Sequence, residues 1–319
     1  MNILVTGATG FVGRQLLETL GSQTQATVVA AIRSNNNTLS EKVKTVTVGD
    51  LGPDNSWYEA LDNIDTIIHT AARVHVMNDD SKDPLSEFRK VNVEGTLNLA
   101  RQAAKTGVKR FVFLSSIKVN GESTSLNLPF TEDDLAAPID PYGISKYETE
   151  VGLFKLADET GMEVVSIRPT LVYGPSVKAN FFNMMKWLYR GLPLPFGLIK
   201  NKRSLVALDN LVDLIITCTE HPKAANQVFL VSDGEDLSTS DLLRRVAKAL
   251  DKTAYLLPVN QKLLEILLSF LGKRNLAQRL CGSLQVDISK AKKVLNWVPP
   301  ISVDEGLIKT TQHFIGTKN

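Results

Sequence analysis

The sequence predicts an α/β fold, in which a doubly wound parallel sheet is joined to a smaller, mainly carboxy-terminal domain. Two observations support this prediction. Short β-branched runs alternate with longer segments of helical apolar spacing up to residue 169, and the alternation fades beyond Thr170. Strands and helices that alternate in this way form βαβ units, which build a parallel sheet covered by helices on both faces.

Six runs before Thr170 have the composition of buried strands: "NILVTG" (2 to 7), "ATVVAAIR" (26 to 33), "VKTVTVGD" (43 to 50), "DTIIHTAA" (65 to 72), "KRFVFLSS" (109 to 116) and "MEVVSIRP" (162 to 169). The segments between them, such as "FVGRQLLETLGS", "SEFRKVNVEGTLNLARQAAKTG" and "SKYETEVGLFKLADETG", have apolar residues at helical spacing.

The later part of the chain is less regular. Residues 189 to 204 are rich in Pro and Gly, which predicts a long loop or a small irregular domain and not another crossover. Strand-like runs follow in "RSLVALDNLVDLI" and "NQVFLVSDGE", and helices are expected from about Thr239. We therefore expect residues 1–169 to form the larger domain, with 205–232 returning to it, and residues 170–204 and 233–319 to form the smaller one.

Composition excludes several classes of protein. The 319 residues are 43% hydrophobic and 22% charged, as in ordinary globular proteins, and the net charge of +2 without a polybasic run argues against nucleic-acid binding. Cys218 and Cys281 lack the spacing of a disulfide framework or a zinc site, so we expect both to be buried and no metal to be bound.

The sequence also predicts a cytoplasmic protein. The first residues enter a strand-like run without the regions of a signal peptide. The most apolar later stretch, from Leu263 to Gly272, carries Glu265 and is about half the length that spans a bilayer. We expect a packed helix there and no transmembrane segment, with contact to a membrane surface as the alternative.

A glycine loop lies between the first predicted strand and the first helix. "TGATGFVG" places Gly7, Gly10 and Gly13 in a GxxGxxG spacing, with Phe11 and Val12 between the last two. Glycine allows a sharp turn, a close approach of backbone N–H groups to a pyrophosphate, and tight packing of helix on strand. At this junction the loop predicts a Rossmann-like dinucleotide site, whereas the same glycines elsewhere would indicate only a tight turn.

The end of the second strand bears on which dinucleotide binds. An acidic residue that would hold an NAD ribose is expected about twenty residues beyond the last glycine, and the chain has Arg33 and Ser34 in that region instead. A guanidinium can pair with a 2′-phosphate, so Arg33 favours NADP(H). NAD(H) remains the alternative if Arg33 is simply a solvated residue at a strand end.

A tyrosine and a lysine lie four residues apart in "PYGISKYETE". Tyr142 and Lys146 therefore share one helix face. Such pairs also occur on helices without any chemical role, so this spacing is informative only together with other motifs.

The motifs "TGATGFVG", "HTAA", "VNVEGT", "FLSS" and "YGISK" together resemble the extended short-chain dehydrogenase/reductases, in the branch of nucleotide-sugar epimerases, dehydratases and reductases. The resemblance runs from Met1 to roughly Asp213 and returns in "DISKAKKVLNWVPPISVDEGL". The chain looks most like a bacterial UDP-glucose 4-epimerase-like subgroup, which includes reductases of 4-keto sugars for surface polysaccharides.

The resemblance implies a catalytic triad. Tyr142 would be the acid or base, Lys146 its electrostatic partner, and Ser116 the hydroxyl that steadies the substrate oxygen. A lysine ammonium and an oxidised nicotinamide would both favour the tyrosine phenolate. The remaining cofactor-binding residues that it implies are Asp50 and Leu51 at the adenine, Ala71 and Ala72 beside the fourth strand, Asn92 as a support of the site, Ser115 beside the nicotinamide, and Pro169.

The resemblance also suggests substrate residues. Asn180 and Arg203 match groups near the diphosphate of a sugar nucleotide, Arg279 is a further phosphate candidate, and Phe196 would stack on a uracil or simply close a core. Leu171 stands where many relatives have an Asn, so that polar contact is missing.

Two enzymatic functions fit these residues. The favoured one is an NADPH-dependent reduction at C4 of a UDP-4-keto-6-deoxy-N-acetylhexosamine, because Arg33 suggests an exchangeable NADPH. The alternative is a UDP-hexose 4-epimerase acting on UDP-glucose or UDP-N-acetylglucosamine. A dehydratase fits less well, since Ile117 and Lys118 are not obvious acid/base groups, and a redox-sensing binding protein would not need the Tyr/Lys pair. Homodimerisation is an additional expectation from the resemblance.

Overall fold

A computed structural model describes residues 1–23, 26–34, 39, 43–74, 83–270, 272 and 274–317. The described residues contain ten strands: β1 (Asn2–Thr6), β2 (Thr27–Ile32), β3 (Lys44–Thr47), β4 (Thr66–His69), β5 (Arg110–Leu114), β6 (Glu163–Pro169), β7 (Leu171–Tyr173), β8 (Arg203–Ala207), β9 (Gln227–Val231) and β10 (Asp236–Leu237). All six strands predicted before Thr170 are confirmed.

Eleven α-helices lie in the same residues: α1 (Phe11–Gln23), α2 (Pro84–Phe88), α3 (Thr96–Lys105), α4 (Pro141–Thr160), α5 (Ala179–Tyr189), α6 (Leu208–Glu220), α7 (Thr239–Ala249), α8 (Gln261–Phe270), α9 (Arg274–Cys281), α10 (Ser289–Leu295) and α11 (Val303–Gly316). A π-helical segment, Arg89–Gly95, joins α2 to α3. Short 3₁₀ turns lie at Ile117–Val119 and Pro222–Ala224.

Seven parallel strands form the central sheet in the order β3-β2-β1-β4-β5-β6-β9. The chain first runs outward from β1 to β3 and then crosses to β4 on the other side of β1. The direction of winding therefore reverses between β1 and β4, and at such a point the carboxyl ends of the strands leave a crevice for a ligand. This is the doubly wound parallel sheet that the sequence predicts.

Both faces of the central sheet are buried, as its alternating side chains require. Ile3 and Val5 of β1 belong to a cluster with apolar residues of α1 and α6, while Leu4 between them belongs to a cluster with α3 and α4. The two clusters place helices on opposite faces of the sheet.

A second sheet of three strands, in the order β10-β8-β7, lies outside the central one. Its core includes apolar side chains of α5, α7 and α11. The strand predicted in "RSLVALDNLVDLI" is only partly correct, because β8 ends at Ala207 and α6 begins at Leu208. Leu211, Val212 and Ile215 follow helical spacing and pack in the first cluster of the central sheet.

The apolar stretch from Leu263 to Gly272 forms most of α8, while residue 271 lies outside the described residues. Leu264 packs inward, whereas Leu263, Ile266, Leu267 and Phe270 on the other side are exposed. The prediction of a packed helix is thus right for one face only. No helix in the described ranges has the length and apolar character needed to cross a bilayer. Cys218 and Cys281 are buried and unpaired, as expected.

Candidate active site

The glycine loop after β1 has the close contacts that only glycine allows. Gly7 has a φ of +68°, and a Cβ there would lie 2.6 Å from the Ala71 backbone nitrogen. A Cβ on Gly13 would lie 2.2 Å from the Gly7 carbonyl oxygen, because the first turn of α1 packs directly on the loop. The loop closes with a hydrogen bond of 2.8 Å from the Gly10 N–H to the Gly7 oxygen. Glycine is therefore required at both Gly7 and Gly13.

The amino terminus of α1 follows this loop. Phe11 and Val12 begin the helix and pack against the core of the central sheet. The first turn carries no acidic side chain, so the positive end of the helix dipole is not cancelled there. A pyrophosphate fits such a site.

The ends of β2 and β3 carry four of the predicted cofactor-binding residues, with Asp50 and Leu51 after β3. Arg33 and Ser34 follow β2, and both are exposed. The Arg33 Nη1 lies 3.7 Å from Asp50 Oδ1, and their side chains are 80% and 90% exposed. Leu51 packs against the cluster under α3. The Asp50 carboxylate reduces the positive potential that Arg33 would offer to a 2′-phosphate, so the geometry weakens the argument for NADP(H).

The segment after β4 is held by Asn92. Its Oδ1 accepts a hydrogen bond of 2.8 Å from the Arg73 N–H, and its Nδ2 donates to the Arg73 oxygen at 3.0 Å. Nδ2 also donates to Ser145 Oγ at 3.0 Å, and that hydroxyl donates to the Tyr142 oxygen. Asn92 thus joins the strand end that carries Ala71 and Ala72 to the helix that carries Tyr142.

Asn92 lies in the π-helical segment, where the widened turn changes the normal backbone pairing. The Asn92 carbonyl accepts a hydrogen bond of 3.0 Å from the Thr149 hydroxyl of α4. The segment is therefore fixed to α4 by both the side chain and the backbone of the same residue.

Two serines follow the end of β5. Ser115 is 2% exposed, and its Oγ is one of the few buried polar atoms without a hydrogen-bond partner in the described part of the chain. A buried hydroxyl without a partner is costly, and a bound polar ligand would satisfy it. Ser116 Oγ accepts from the Lys118 N–H at 3.3 Å and caps the 3₁₀ turn.

Tyr142 and Lys146 lie in the first two turns of α4. Asp140 caps this helix by accepting a hydrogen bond of 2.6 Å from the Gly143 N–H, and Pro141 occupies the first helical position. The Tyr142 ring meets the Phe88 ring edge-on, with 6.1 Å between centroids. Lys146 Nζ lies 5.8 Å from the centre of the Tyr142 ring.

Lys146 is held beside the serines. Its Nζ donates a hydrogen bond of 2.7 Å to the Leu114 carbonyl oxygen, and it lies 4.4 Å from the centre of the Phe113 ring. Leu114 directly precedes Ser115 and Ser116. The structure therefore places Ser116, Lys146 and the helix that carries Tyr142 at one end of β5.

Burial has opposite effects on the two titrating groups. It lowers the pKa of Lys146 to about 7, against a smaller upward effect of Glu150. Burial, and then the charge of Asp140, raise the pKa of Tyr142 above its usual value. In the cofactor-free protein the phenolate is therefore disfavoured, and the expected lowering of the tyrosine pKa by Lys146 is not the dominant effect.

Buried polar residues that the sequence did not identify support this site. His69 of β4 bonds to Thr6 Oγ1 at 2.8 Å and to Thr96 Oγ1 at 3.0 Å, and burial lowers the pKa of His69 to about 3. Glu150 lies one turn beyond Lys146 and forms a buried ion pair with Arg168 of β6. The spacing of Glu150 from Lys146 is a signal in the sequence, whereas its partner in β6 is visible only in the fold.

The predicted substrate residues fall into two groups. Arg203 begins β8, and burial together with the charge of Arg279 lowers the pKa of Arg203. Two arginines from β8 and α9 thus lie close enough to repel each other, and among the described residues no carboxylate forms an ion pair with either. Asn180 is exposed at the start of α5. Phe196 is half-buried against the core of the small sheet, the packing role considered above.

Pro169 and Leu171, two further positions considered in the sequence, lie in strands. Pro169 ends β6 and pairs with Val231 of β9. Leu171 begins β7 opposite Leu205, and its side chain is 52% exposed. An apolar surface is therefore present where many relatives have an amide.

Comparison with known proteins identifies the family. Residues 3–232 match the NAD dependent epimerase/dehydratase family. A UDP-glucose 4-epimerase from Vibrio cholerae is 49% identical over 319 residues, covering 100% of this chain and 97% of that protein. An N-acetyl-alpha-D-glucosaminyl-diphospho-ditrans,octacis-undecaprenol 4-epimerase from Escherichia coli O157:H7 is 29% identical over 330 residues, covering 98% of this chain and 95% of that protein.

A solved structure agrees with the sequence comparisons. The crystal structure of a UDP-glucose 4-epimerase from Thermotoga maritima with UDP-glucose matches with a TM-score of 0.78 and 26% identity, covering 100% of both chains. The chain is therefore an enzyme of the NAD-dependent epimerase/dehydratase family, with the short-chain dehydrogenase/reductase fold.

Proposed function

We propose that this enzyme is a UDP-sugar 4-epimerase that works with NAD. The observation that carries the proposal is the 49% identity with the Vibrio cholerae UDP-glucose 4-epimerase over the whole chain. The 26% identical Thermotoga maritima structure, determined with UDP-glucose, supports the same substrate class. These similarities favour epimerisation over the reductive function that Arg33 suggests.

The residues present fit a dinucleotide. Gly7 and Gly13 allow the tight turn that packs α1 directly on the loop, α1 offers an uncancelled helix terminus, and Ser115 has a hydroxyl without a partner in the described residues. Bound NAD supplies a reversible acceptor for the hydride at C4 of the sugar. Lys146, Ser115 and the residues at the carboxyl ends of β1 to β6 would hold it.

Tyr142 performs the proton transfer in this proposal. Its phenolate takes the proton of the C4 hydroxyl while hydride leaves the same carbon, and a 4-keto sugar results. When the keto sugar has rotated to present its other face to the cofactor, which would supply the hydride, the Tyr142 phenol would return its proton to the same oxygen. The Ser116 hydroxyl orients that oxygen while its charge changes.

Lys146 makes the phenolate accessible. Burial raises the pKa of Tyr142, so a nearby cation must offset this effect for the phenolate to form near neutral pH. Lys146 can supply this charge from the same helix face, because its pKa of about 7 leaves it partly protonated at neutral pH, and its contact with the Leu114 oxygen keeps it there.

Arg203 and Arg279 would hold the UDP diphosphate. Their mutual repulsion is relieved when an anion binds between them, and charge-assisted hydrogen bonds then form. Asn180 and Phe196 are proposed to lie along the rest of the nucleotide.

Reduction of a 4-keto sugar is the second candidate function, because Arg33 stands where NAD-binding enzymes have a carboxylate. One experiment separates the two. The purified enzyme is given UDP-glucose or UDP-N-acetylglucosamine without added cofactor, and, separately, NADPH with a UDP-4-keto-6-deoxy sugar. The 4-epimer in the first mixture supports the proposal, whereas stoichiometric loss of NADPH in the second and no epimer in the first would contradict it.

A further inference from the structure

An ion pair links the 3₁₀ turn that follows Ser116 to the start of α4, the helix that carries Tyr142. Lys118 lies in the 3₁₀ turn after Ser116, and its ammonium pairs with the carboxylate of Asp140, the residue that caps α4. We propose that Lys118 and Asp140 act as a positioning pair, which fixes Ser116 relative to Tyr142, while Lys118 neutralises the carboxylate that lies two residues before Tyr142.

Lys118 uses both its backbone and its side chain in this link. Its N–H donates to Ser116 Oγ at 3.3 Å, while its ammonium reaches Asp140. Asp140 in turn accepts the Gly143 N–H through its other oxygen at 2.6 Å. A continuous set of polar contacts therefore runs from the serine hydroxyl to the residue that follows Tyr142.

Close packing accompanies these contacts. A Cβ on Gly143 would lie 3.0 Å from the Lys118 oxygen and 3.1 Å from Asp140 Oδ1. The turn and the helix start thus touch through their backbones, and a larger residue at Gly143 would separate them. The Lys118 and Asp140 side chains are 24% and 19% exposed, so their pairing is less screened than that of a surface pair.

The pair also has an electrostatic consequence. The Asp140 charge opposes the Tyr142 phenolate, and Lys118 offsets that charge. Lys118 has a second acidic partner, Glu122, at 3.4 Å. Because its ammonium is engaged in this way, Lys118 is a positioning residue and not a general acid for the sugar.

Other charged groups surround this end of α4, and each contributes to the electrostatic potential there. Lys146 lies one turn along the same helix and Glu150 one turn further, where it pairs with Arg168. From the π-helical segment Arg89 pairs with Glu148 of α4, and the Arg73 guanidinium lies over the Phe88 ring that packs on Tyr142. The Lys118–Asp140 pair differs from these groups because it joins the two segments that carry Ser116 and Tyr142.

The test measures the ionisation of Tyr142 in the purified enzyme. The near-ultraviolet absorbance of its phenolate is obtained as the difference between each protein and the same protein with Tyr142→Phe, titrated with pH at saturating NAD, because an oxidised nicotinamide favours the phenolate. Lys118→Gln should raise the Tyr142 pKa and Asp140→Asn should lower it, each by about 0.5 to 1 pH unit, the size expected for one incompletely screened charge. Asparagine also caps helices well, so Asp140→Asn keeps the fold.

Three further variants act as controls. Lys118→Arg retains the charge and should restore the wild-type titration, and the double variant Lys118→Gln/Asp140→Asn should lie between the two single variants. Lys109→Gln, which breaks the surface pair of 3.2 Å with Asp65, should not move the titration. If Lys118→Gln does not fold, the sign of the Tyr142 pKa shift in Asp140→Asn still tests the proposal.

Shifts of the same sign in both single variants, or none in either, would overturn the proposal. The kinetic part rests on the proposed function: the pH at which kcat for epimerisation rises should move with the Tyr142 pKa, while KM for the UDP-sugar stays within about twofold. If no UDP-sugar is epimerised, the proposed function fails, yet the spectroscopic titration still tests the ion pair. The two failures are therefore distinguishable.

Discussion

Lys146 Nζ donates a hydrogen bond of 2.7 Å to the Leu114 carbonyl oxygen. This contact joins α4 to the carboxyl end of β5, two residues before Ser116. This contact therefore holds the helix that carries Tyr142 and Lys146 against the strand end that precedes Ser116. Chemistry that needs all three groups can occur at this place.

Tyr142→Phe should reduce kcat at least about 100-fold, because proton transfer to the sugar oxygen is lost. Binding of NAD, measured by fluorescence or calorimetry, should change little. Tyr147→Phe is the matched control, since Tyr147 lies on the exposed side of the same helix and should retain activity. Full activity of Tyr142→Phe would remove the proposed proton transfer.

Ser115→Ala should leave the unfolding free energy nearly unchanged while it weakens NAD binding. The Ser115 hydroxyl has no partner in the described residues, so its removal should leave the cofactor-free protein within about 0.5 kcal/mol of wild type or make it more stable. NAD affinity should fall at least about threefold, because a hydrogen bond to the ligand is lost. Calorimetry with NAD and denaturant unfolding of the apoprotein provide the two measurements.

Ser166→Ala is the control for that variant. Ser166 is also buried, but its hydroxyl donates a hydrogen bond of 2.8 Å to Glu150 Oε1. Its loss should cost about 1 to 3 kcal/mol of unfolding free energy. Equal destabilisation by both substitutions would mean that Ser115 is already satisfied within the protein.

Gly13→Ala should abolish retention of the cofactor and lower the unfolding free energy by about 2 kcal/mol or more, because a Cβ would overlap the Gly7 oxygen at 2.2 Å. Gly21→Ala on the same helix is the control, since a Cβ there meets nothing within 4 Å and alanine favours helices. Thermal unfolding and the absorbance of bound cofactor check both variants. A Gly13→Ala protein that keeps its cofactor would contradict the close packing described.

Replacing His69 should change how stability depends on pH. The pKa of His69 is about 3 in the folded protein and near 6.5 when unfolded, so only the unfolded state binds this proton between those values. Folding stability from this group is thus complete above about pH 6.5 and falls as the pH drops. His69→Gln should flatten the acid side of the profile. Chemical denaturation between about pH 4 and pH 7 measures the slopes.

Arg203→Gln and Arg279→Gln should each weaken UDP binding about tenfold, the effect of losing one charge-assisted contact to phosphate. Exposed Arg101→Gln in α3 is the control. Calorimetry with UDP at low and high salt should show a smaller salt dependence in the two variants. Unchanged affinity in both would place the diphosphate elsewhere.

The sequence predicts the parts of this molecule that depend on local pattern. Strand composition and the glycine spacing correctly predicted the sheet, and the spacing of Tyr142 and Lys146 placed them on one face of α4. The helix from Leu208 was missed because its apolar residues continue those of β8 without a break. Its apolar residues follow helical spacing, but they have the same composition as those of the strand before them.

Contacts between distant segments could not be predicted from local pattern. Three such contacts depend on how the fold brings separate segments together. They are the ion pair of Lys118 with Asp140, the hydrogen bonds of Asn92 with the Arg73 backbone, and the proximity of Arg203 to Arg279. At Arg33 the local pattern predicts a phosphate contact, but the fold places the Asp50 carboxylate beside the guanidinium, which weakens that prediction.

The most direct test of the proposed function follows the hydrogen at C4. UDP-glucose or UDP-N-acetylglucosamine with deuterium at C4 is incubated with the purified enzyme in ordinary water, and the products are examined by nuclear magnetic resonance. Hydride removal and return at one carbon predict a 4-epimer that retains its deuterium, with no consumption of added NADPH. Absence of the epimer, or an epimer that has exchanged its C4 deuterium for solvent hydrogen, would contradict the mechanism.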